Sequence, residues 1–305
     1  MSTATATAPD LFAAAPWRQA PTFGTDPRFP PGCLHPCESS LLTVLARDYF
    51  AGEGAIVDAG SFLGRSSALL AQGLRENRGI RPQRWIHSFD WFRILDAHDA
   101  GWIRDVRGET RAIGARTRDV FDANVQRWAD LIEVHDGDFT RAVWNGGPIE
   151  ILFIDICKTD ALNRRVIEQF FPALIPGRSI VIQQDYHHCH HPYIHLALER
   201  LSDYLTPLAT RIDDSYVCQL DRPIPANVLD AAATVWSLPF DQKLALMDAA
   251  IDKLPESQRL FVRLARAVLK GAYEEDPHHI EAADLPRWER ERAQVLRRLE
   301  AFPRL

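Results

Sequence analysis

Between residues 55 and 201 the chain alternates short apolar runs with segments of helical periodicity, and this constrains the fold more than any other feature. AIVDAG (55–60), RWIHSFD (84–90), LIEVHDGD (131–138), IEILFIDI (149–156) and RSIVIQQDY (178–186) read as strands. RSSALLAQGL (65–74), RDVFDANVQRWAD (118–130), ALNRRVIEQFFPAL (161–174) and HPYIHLALERLSDYL (191–205) read as helices. Strands separated by helices pair in parallel through right-handed crossovers, so the pattern predicts an α/β fold with a doubly wound, mostly parallel sheet and helices on both faces. ATRIDDSYVCQL (209–220) predicts a closing hairpin that turns at Asp213 and Asp214.

The sheet region accounts for residues 35–222. Before it, residues 1–34 are rich in Ala, Thr and Pro and read as a mobile N-terminal arm. After it, residues 223–305 form a helical extension: NVLDAAATVWSL, FDQKLALMDAAIDKL, ESQRLFVRLARAVLKGAY and PRWERERAQVLRRLEAF. An apolar face there, with Leu260, Phe261, Leu264 and Val268, predicts a homo-oligomer contact or a cap over a substrate.

Composition removes several classes of function. With 46% hydrophobic and 25% charged residues, the chain can form a packed core. A formal charge of -6 argues against nucleic-acid binding driven by phosphate contacts. No apolar run is long enough to span a bilayer, so no membrane partner is expected. The start MSTATATAPDLFAAAP lacks the layout of a secretion signal, and the five cysteines are an odd number. Together they predict reduced thiols and a cytoplasmic location.

In an open α/β sheet, ligands bind beyond the carboxyl ends of the strands. The first strand-to-helix turn reads IVDAGSFLGRSS (56–67). Gly60 and Gly64 do not satisfy G-x-G-x-x-G in either register, which excludes the dinucleotide fingerprint. Three residues rather than four separate them, and Arg65 follows where a phosphate-binding loop has Lys. Asp58 at the strand end would also repel a phosphate. An acid followed by two spaced glycines suits a cationic ligand that carries a ribose.

These residues resemble the class I S-adenosylmethionine-dependent methyltransferases. The first motif of that family is matched by Asp58, Gly60 and Gly64, with the hydroxyls of Ser61 and Ser66 beside them. The acid that binds the ribose hydroxyls at the end of the second strand is matched by Asp90. The turn near the adenine is matched by Asp138 and Phe139, and the ends of strands four and five by Asp155 and Asp185. The resemblance covers roughly residues 38–220. It implies a seven-stranded Rossmann-like methyltransferase fold, S-adenosylmethionine as cofactor and a small-molecule acceptor.

Within the superfamily, the chain is most similar to small-molecule O-methyltransferases of the macrocin O-methyltransferase type. That likeness implies transfer to a hydroxyl, with Mg²⁺ held by Asp155 and Asp185 as a further candidate cofactor. Ile156-Cys157-Lys158 departs from the family's additional acids, and Lys158 can take the cation's place between the two carboxylates. A hydroxyl acceptor needs a base. QQDYHHCHHPYIH (183–195) supplies histidines, with His187 expected ahead of His188. His191 and His195, at i and i+4, also have the spacing of a metal pair. Two alternatives remain at this stage: a metal-dependent hydrolase or hydroxylase-like enzyme built on the 187–195 histidines, and an inactive scaffold of the same fold. The long connection from Trp91 to Arg116 is expected to border the acceptor pocket.

Overall fold

A computed structural model describes residues 7–19, 26, 28–81 and 83–275. Strands β1 (Ala55–Ala59), β2 (Ile86–Asp90), β3 (Ile132–Asp136), β4 (Ile149–Ile154), β5 (Ile180–Gln183), β6 (Leu205–Ile212) and β7 (Ser215–Leu220) form one seven-stranded sheet in the order β3-β2-β1-β4-β5-β7-β6. The first five pair in parallel. The β6–β7 hairpin turns at Asp213 and Asp214 and adds β7 antiparallel to β5. This is the predicted doubly wound sheet, and strand order reverses between β1 and β4.

The central strands are apolar throughout because helices cover both of their faces. On one face Ile56, Ile151, Phe153 and Ile180 pack against α2 (Pro36–Val44), α3 (Arg65–Glu76) and α5 (Arg118–Val125). On the other, Val57, Leu152, Ile154 and Val181 pack against α6 (Asp160–Phe170) and α7 (Pro192–Leu201).

The segment expected to be a mobile arm is packed where it is described. Helix α1 (Ala8–Ala14) and the turn after it bury Ala8, Leu11, Phe12 and Trp17 in the α2/α3 core. Phe29 stacks on Trp128 at 5.7 Å, and Arg65 donates to the Pro30 carbonyl at 2.8 Å. Low periodicity hid four buried side chains that need only one short helix to reach the core. The C-terminal helices also find their partner within the chain. Helices α8 (Ala226–Ala233), α9 (Phe240–Asp252) and α10 (Glu256–Glu275) stack behind α6 and α7, burying Val235, Met247, Ile251, Val262 and Ala265. Of the apolar face expected to make an oligomer contact or a cap, Val268 is buried, while Leu260, Phe261 and Leu264 are half-buried. The helix expected from PRWERERAQVLRRLEAF lies outside the described residues.

Candidate active site

The carboxyl ends of β1, β2, β4 and β5 bring Asp58, Asp90, Asp155 and Asp185 to one edge of the sheet. Ladder bonding runs on into the turns: the Asp155 amide donates to the Ala59 carbonyl at 2.7 Å and the Gln184 amide to the Ile154 carbonyl at 3.0 Å.

Gly60 has φ +101°, and a Cβ there would stand 2.6 Å from the Asp155 carbonyl. The turn can therefore lie against β4 only if this position lacks a side chain. Gly64 has φ +92° and its missing Cβ would meet Val125 Cγ1 at 2.5 Å. It serves the start of α3 and its packing on α5 rather than an approach to a ligand.

Asp58 is fully buried, because strand alternation points it under α3. Ser66 Oγ donates to its Oδ2 at 2.9 Å, and Ser67 Oγ donates to the same oxygen. Burial raises its pKa to about 6 against the pull of these hydroxyls. Ser61 is also buried and donates to the Asp58 carbonyl at 3.2 Å. Asp58, Ser61 and Ser66 thus brace the turn from beneath.

Asp90 is half-buried at the tip of β2. Its Oδ2 accepts the Phe62 amide at 2.8 Å and its Oδ1 the Phe92 amide at 2.6 Å. Phe62 and Phe92 both have positive φ, 43° and 49°, so one carboxylate clamps two left-handed turns. Burial raises the Asp90 pKa, the two amides oppose it, and Asp99 adds a small increase.

Asp99 lies in the first turn of α4 (Ala97–Arg107), within the long connection. A bridge between Arg93 and Arg116 closes that connection, and Ile94 and Ile103 pack with Leu63 and Val120. Burial and then the Asp155 charge raise the Cys33 pKa, with smaller influences from Lys158, Asp99 and Asp185. The long connection and the strap around Cys33 therefore both border the acidic edge.

After β3, Asp138 caps the next turn, accepting the Thr140 amide at 3.0 Å, and remains accessible. Phe139 departs from expectation. It is 3% exposed and sits in a core cluster with Phe89 at 5.8 Å and Phe170 at 5.5 Å, so its ring is committed to packing.

On the β4/β5 side, Lys158 Nζ lies 2.7 Å from Asp155 Oδ1 and also bonds Asp185 Oδ2. Burial works against the ammonium, but the two carboxylates outweigh it and raise the Lys158 pKa. Burial likewise raises Asp155, with the ammonium opposing. The candidate Mg²⁺ does not fit. A cation already bridges the two acids, and a divalent ion there would meet the ammonium's charge.

The histidines separate. Asp185 has φ +65°, which turns the chain so that Asp185 faces the acidic edge while the next residues face inward. His187, the expected base, is 5% exposed, with its Nε2 2.8 Å from the Thr210 carbonyl and its ring against Phe261. Burial lowers its pKa to about 3. It belongs to the β6–α10 packing and does not face the acids. His195 is fully buried, with Nε2 2.6 Å from the Tyr186 carbonyl. It therefore does not form with His191 the metal pair that their spacing allows. His188 is exposed, its ring stacked 5.2 Å from that of His191.

His191 is the histidine that faces the site: its Nε2 is 3.9 Å from Asp185 Oδ2. Tyr193 donates its hydroxyl proton to the Cys157 carbonyl at 3.2 Å, so the 2.7 Å bond between Tyr193 Oη and His191 Nδ1 requires a proton on Nδ1. This leaves Nε2 with a free lone pair toward the Asp185–Lys158 pair. Burial lowers the His191 pKa to about 3, with Asp185 opposing. Pro192 at the first position of α7 was the usable sequence signal, since it places His191 at the helix start immediately after the β5 turn.

Residues 57–186 match the family model described as a methyltransferase domain. The match begins inside β1 and ends just past Asp185, and so spans all four strand-end acids. The sheet that it spans has the Rossmann-like methyltransferase fold. No curated protein matches the sequence. Among solved structures, the chain is similar to CalS11, a calicheamicin methyltransferase, at 18% identity over 59% of this chain and 76% of that one, with a TM-score of 0.40. It is similar to the O-methyltransferase NovP at 14% identity over 70% and 97%, TM-score 0.46. It is also similar to cofactor-bound Rv0187 from MTB at 17% identity over 73% and 94%, TM-score 0.45.

Proposed function

We propose that this protein transfers the methyl group of S-adenosylmethionine to a hydroxyl of a small molecule without a divalent metal. The observation that carries the reading is the division of the acidic edge. Asp90 is held by neutral amides on the β1/β2 side, and an Asp155–Lys158–Asp185 bridge with His191 beside it lies on the β4/β5 side.

The residues fit the cofactor by the chemistry of their donors and acceptors. Each Asp90 oxygen accepts one amide and retains a lone pair, so the carboxylate can still accept two adjacent ribose hydroxyls. Asp58 and its serines hold the turn that the methionine portion would cross, and the accessible Asp138 borders the adenine side. When bound, the cofactor supplies an activated methyl group, and alignment is the protein's main task.

On the acceptor side, His191 Nε2 takes the hydroxyl proton. Tyr193 and the Cys157 carbonyl hold the ring in the tautomer that leaves this nitrogen free. Lys158 keeps its proton between two carboxylates and stabilises the oxyanion as it develops. Asp155 and Asp185 position the ammonium. The strap around Cys33 and the connection containing α4 border the acidic edge. His188 stands at its exposed rim.

The test is calorimetry with S-adenosylmethionine and S-adenosylhomocysteine, followed by transfer of labelled methyl to a panel of small phenols and sugars with and without EDTA. Binding of both cofactors and EDTA-insensitive methylation of a hydroxyl are expected. A folded protein that binds neither cofactor, or turnover abolished by EDTA and restored by Mg²⁺, would overturn the reading.

A further inference from the structure

We propose that His87, Glu133 and His135 form a binding site for a divalent transition ion of the zinc class at the β2/β3 edge of the sheet. The site is separate from the acidic edge and does not depend on the proposed methyl transfer. Parallel register sets His87 beside Glu133 and Phe89 beside His135. Strand alternation then puts His87, Glu133 and His135 on one face of the sheet, the face that carries α6. β3 is the edge strand, and their side chains remain 13%, 48% and 30% exposed, so an ion can reach them from solvent.

The distances suit a shared ion. His87 Nδ1 and His135 Nε2 are 3.0 Å apart. Two nitrogens bound to one zinc at about 2.0–2.1 Å stand roughly 2.9–3.4 Å from each other, depending on the angle. Glu133 offers one oxygen to each ring, Oε2 at 3.9 Å from His87 Nδ1 and Oε1 at 3.8 Å from His135 Nε2. All three ligand atoms lie within 4.8 Å of one another. A small rotation of the exposed Glu133 side chain would bring its carboxylate into the coordination sphere, leaving a fourth position for water.

Packing holds the rings in place before any ion arrives. His135 stacks on Phe89 at 4.1 Å and 7°, and His87 meets the edge of Trp144 at 5.0 Å and 83°. Without an ion, the two facing nitrogens must share one proton, with one ring donating and the other accepting. A metal ion would take the place of that shared proton, which moves to the far nitrogen of the donating ring or to solvent. An ion here would join the edge strand to β2 and stabilise the folded state by mass action.

The experiment uses the full chain with any affinity tag removed, stripped with chelator and titrated with Zn²⁺ alone. Calorimetry and a thermal melt are read together. One zinc per chain and a raised Tm are expected. His87→Ala and His135→Phe, the latter preserving a ring on Phe89, should each weaken binding by more than about 100-fold, beyond the 10–100-fold cost of losing an outer partner. Glu133→Gln, at an exposed position where misfolding is not a concern, should weaken it by roughly 10-fold. Zinc-free melts check that each variant folds. A His188→Ala/His190→Ala variant should bind zinc as the wild type does. No zinc uptake by folded wild type would overturn the site. So would uptake that survives His87→Ala and Glu133→Gln, or that disappears in the His188/His190 variant.

Discussion

On the β1/β2 side of the acidic edge, carboxylates are held by neutral donors: Asp58 by two serine hydroxyls, Asp90 by two backbone amides. On the β4/β5 side, Asp155 and Asp185 are held by the ammonium of Lys158. Neutral donors fix a carboxylate's position while leaving its charge and some of its lone pairs to a ligand. A cation compensates the charge, and in exchange two acids can sit side by side with a donor available for a developing anion. The first arrangement suits recognition of a polar ligand, and the second suits stabilisation of a reaction that creates charge.

The largest expected effect comes from breaking the neutral side. Asp90→Ala removes the acceptor for two amides and, on the proposed reading, for two ribose hydroxyls. Losing two charge-assisted hydrogen bonds costs about 3–6 kcal/mol. Calorimetry should show no S-adenosylmethionine binding at micromolar concentrations, and the melting temperature should fall because the Phe62 and Phe92 amides lose their partner. Wild-type affinity in a folded variant would remove Asp90 from the ligand site. Lys158→Met breaks the other side. Turnover should fall about 10²–10³-fold, the scale for losing one oxyanion donor, with cofactor affinity nearly unchanged. It should also introduce a response to Mg²⁺ that the wild type lacks, because two uncompensated carboxylates then face each other. An unchanged kcat, or lost cofactor affinity, would mean that the two sides are not functionally distinct.

The comparison also shows which parts of the site were legible in the sequence. The acids could be read because each ends an apolar strand, and the alternation of strands and helices fixes which ends meet. The Lys158 bridge was legible from the basic residue that follows Asp155 where the resemblance implies further acids. The proposed base was not, because which histidine faces the acids depends on one backbone angle. Asp185 at φ +65° turns His187 into the β6–α10 packing and brings His191 to the site. Adjacent histidines look alike in sequence, and no periodicity marks a left-handed residue that is not glycine. Phe139 was misplaced for a related reason: a strand-end aromatic can stack on a ligand or fill the core, and here Phe89 and Phe170 were waiting for it. The arm was missed because residues 7–19 hold too few apolar side chains to show a period, although those few are buried.

His191→Phe tests the reassigned base and should have a smaller effect than Lys158→Met. General bases contribute about 10²–10⁴-fold, and a ring whose pKa burial has lowered to about 3 is a weak base, so the lower end applies. The pH-rate profile adds a sign. His191 is already neutral above about pH 3, so its protonation should not change between pH 5 and 8. A limb near 6.5, the ordinary histidine value, that persists in His191→Phe would point to a different histidine, and one that disappears with His191 would mean that this ring titrates as an unburied imidazole.

The smallest expected effect concerns a neutral-donor acid that has no ligand at all. Glu38 is 1% exposed in α2, accepting the His35 amide at 3.0 Å and the Ser215 hydroxyl at 2.7 Å. Burial raises its pKa to about 8, with Ser215 and His35 opposing. An unfolded glutamate titrates near 4.3. Between that value and about 8 the folded protein keeps a proton that the unfolded chain has released, so stability must fall as pH rises through this window and level off above it. The limiting slope is about 1.4 kcal/mol per pH unit. Glu38→Gln keeps the shape and an acceptor but has no proton to exchange. Denaturant melts from pH 6 to 7.5 should therefore show the wild type losing about 1–2 kcal/mol relative to the variant. Parallel curves would mean that two neutral donors suffice to keep Glu38 ionised within the core. Neutral donors would then do for a buried acid what Lys158 does for Asp155 and Asp185, and the contrast between the two sides would lose its electrostatic basis.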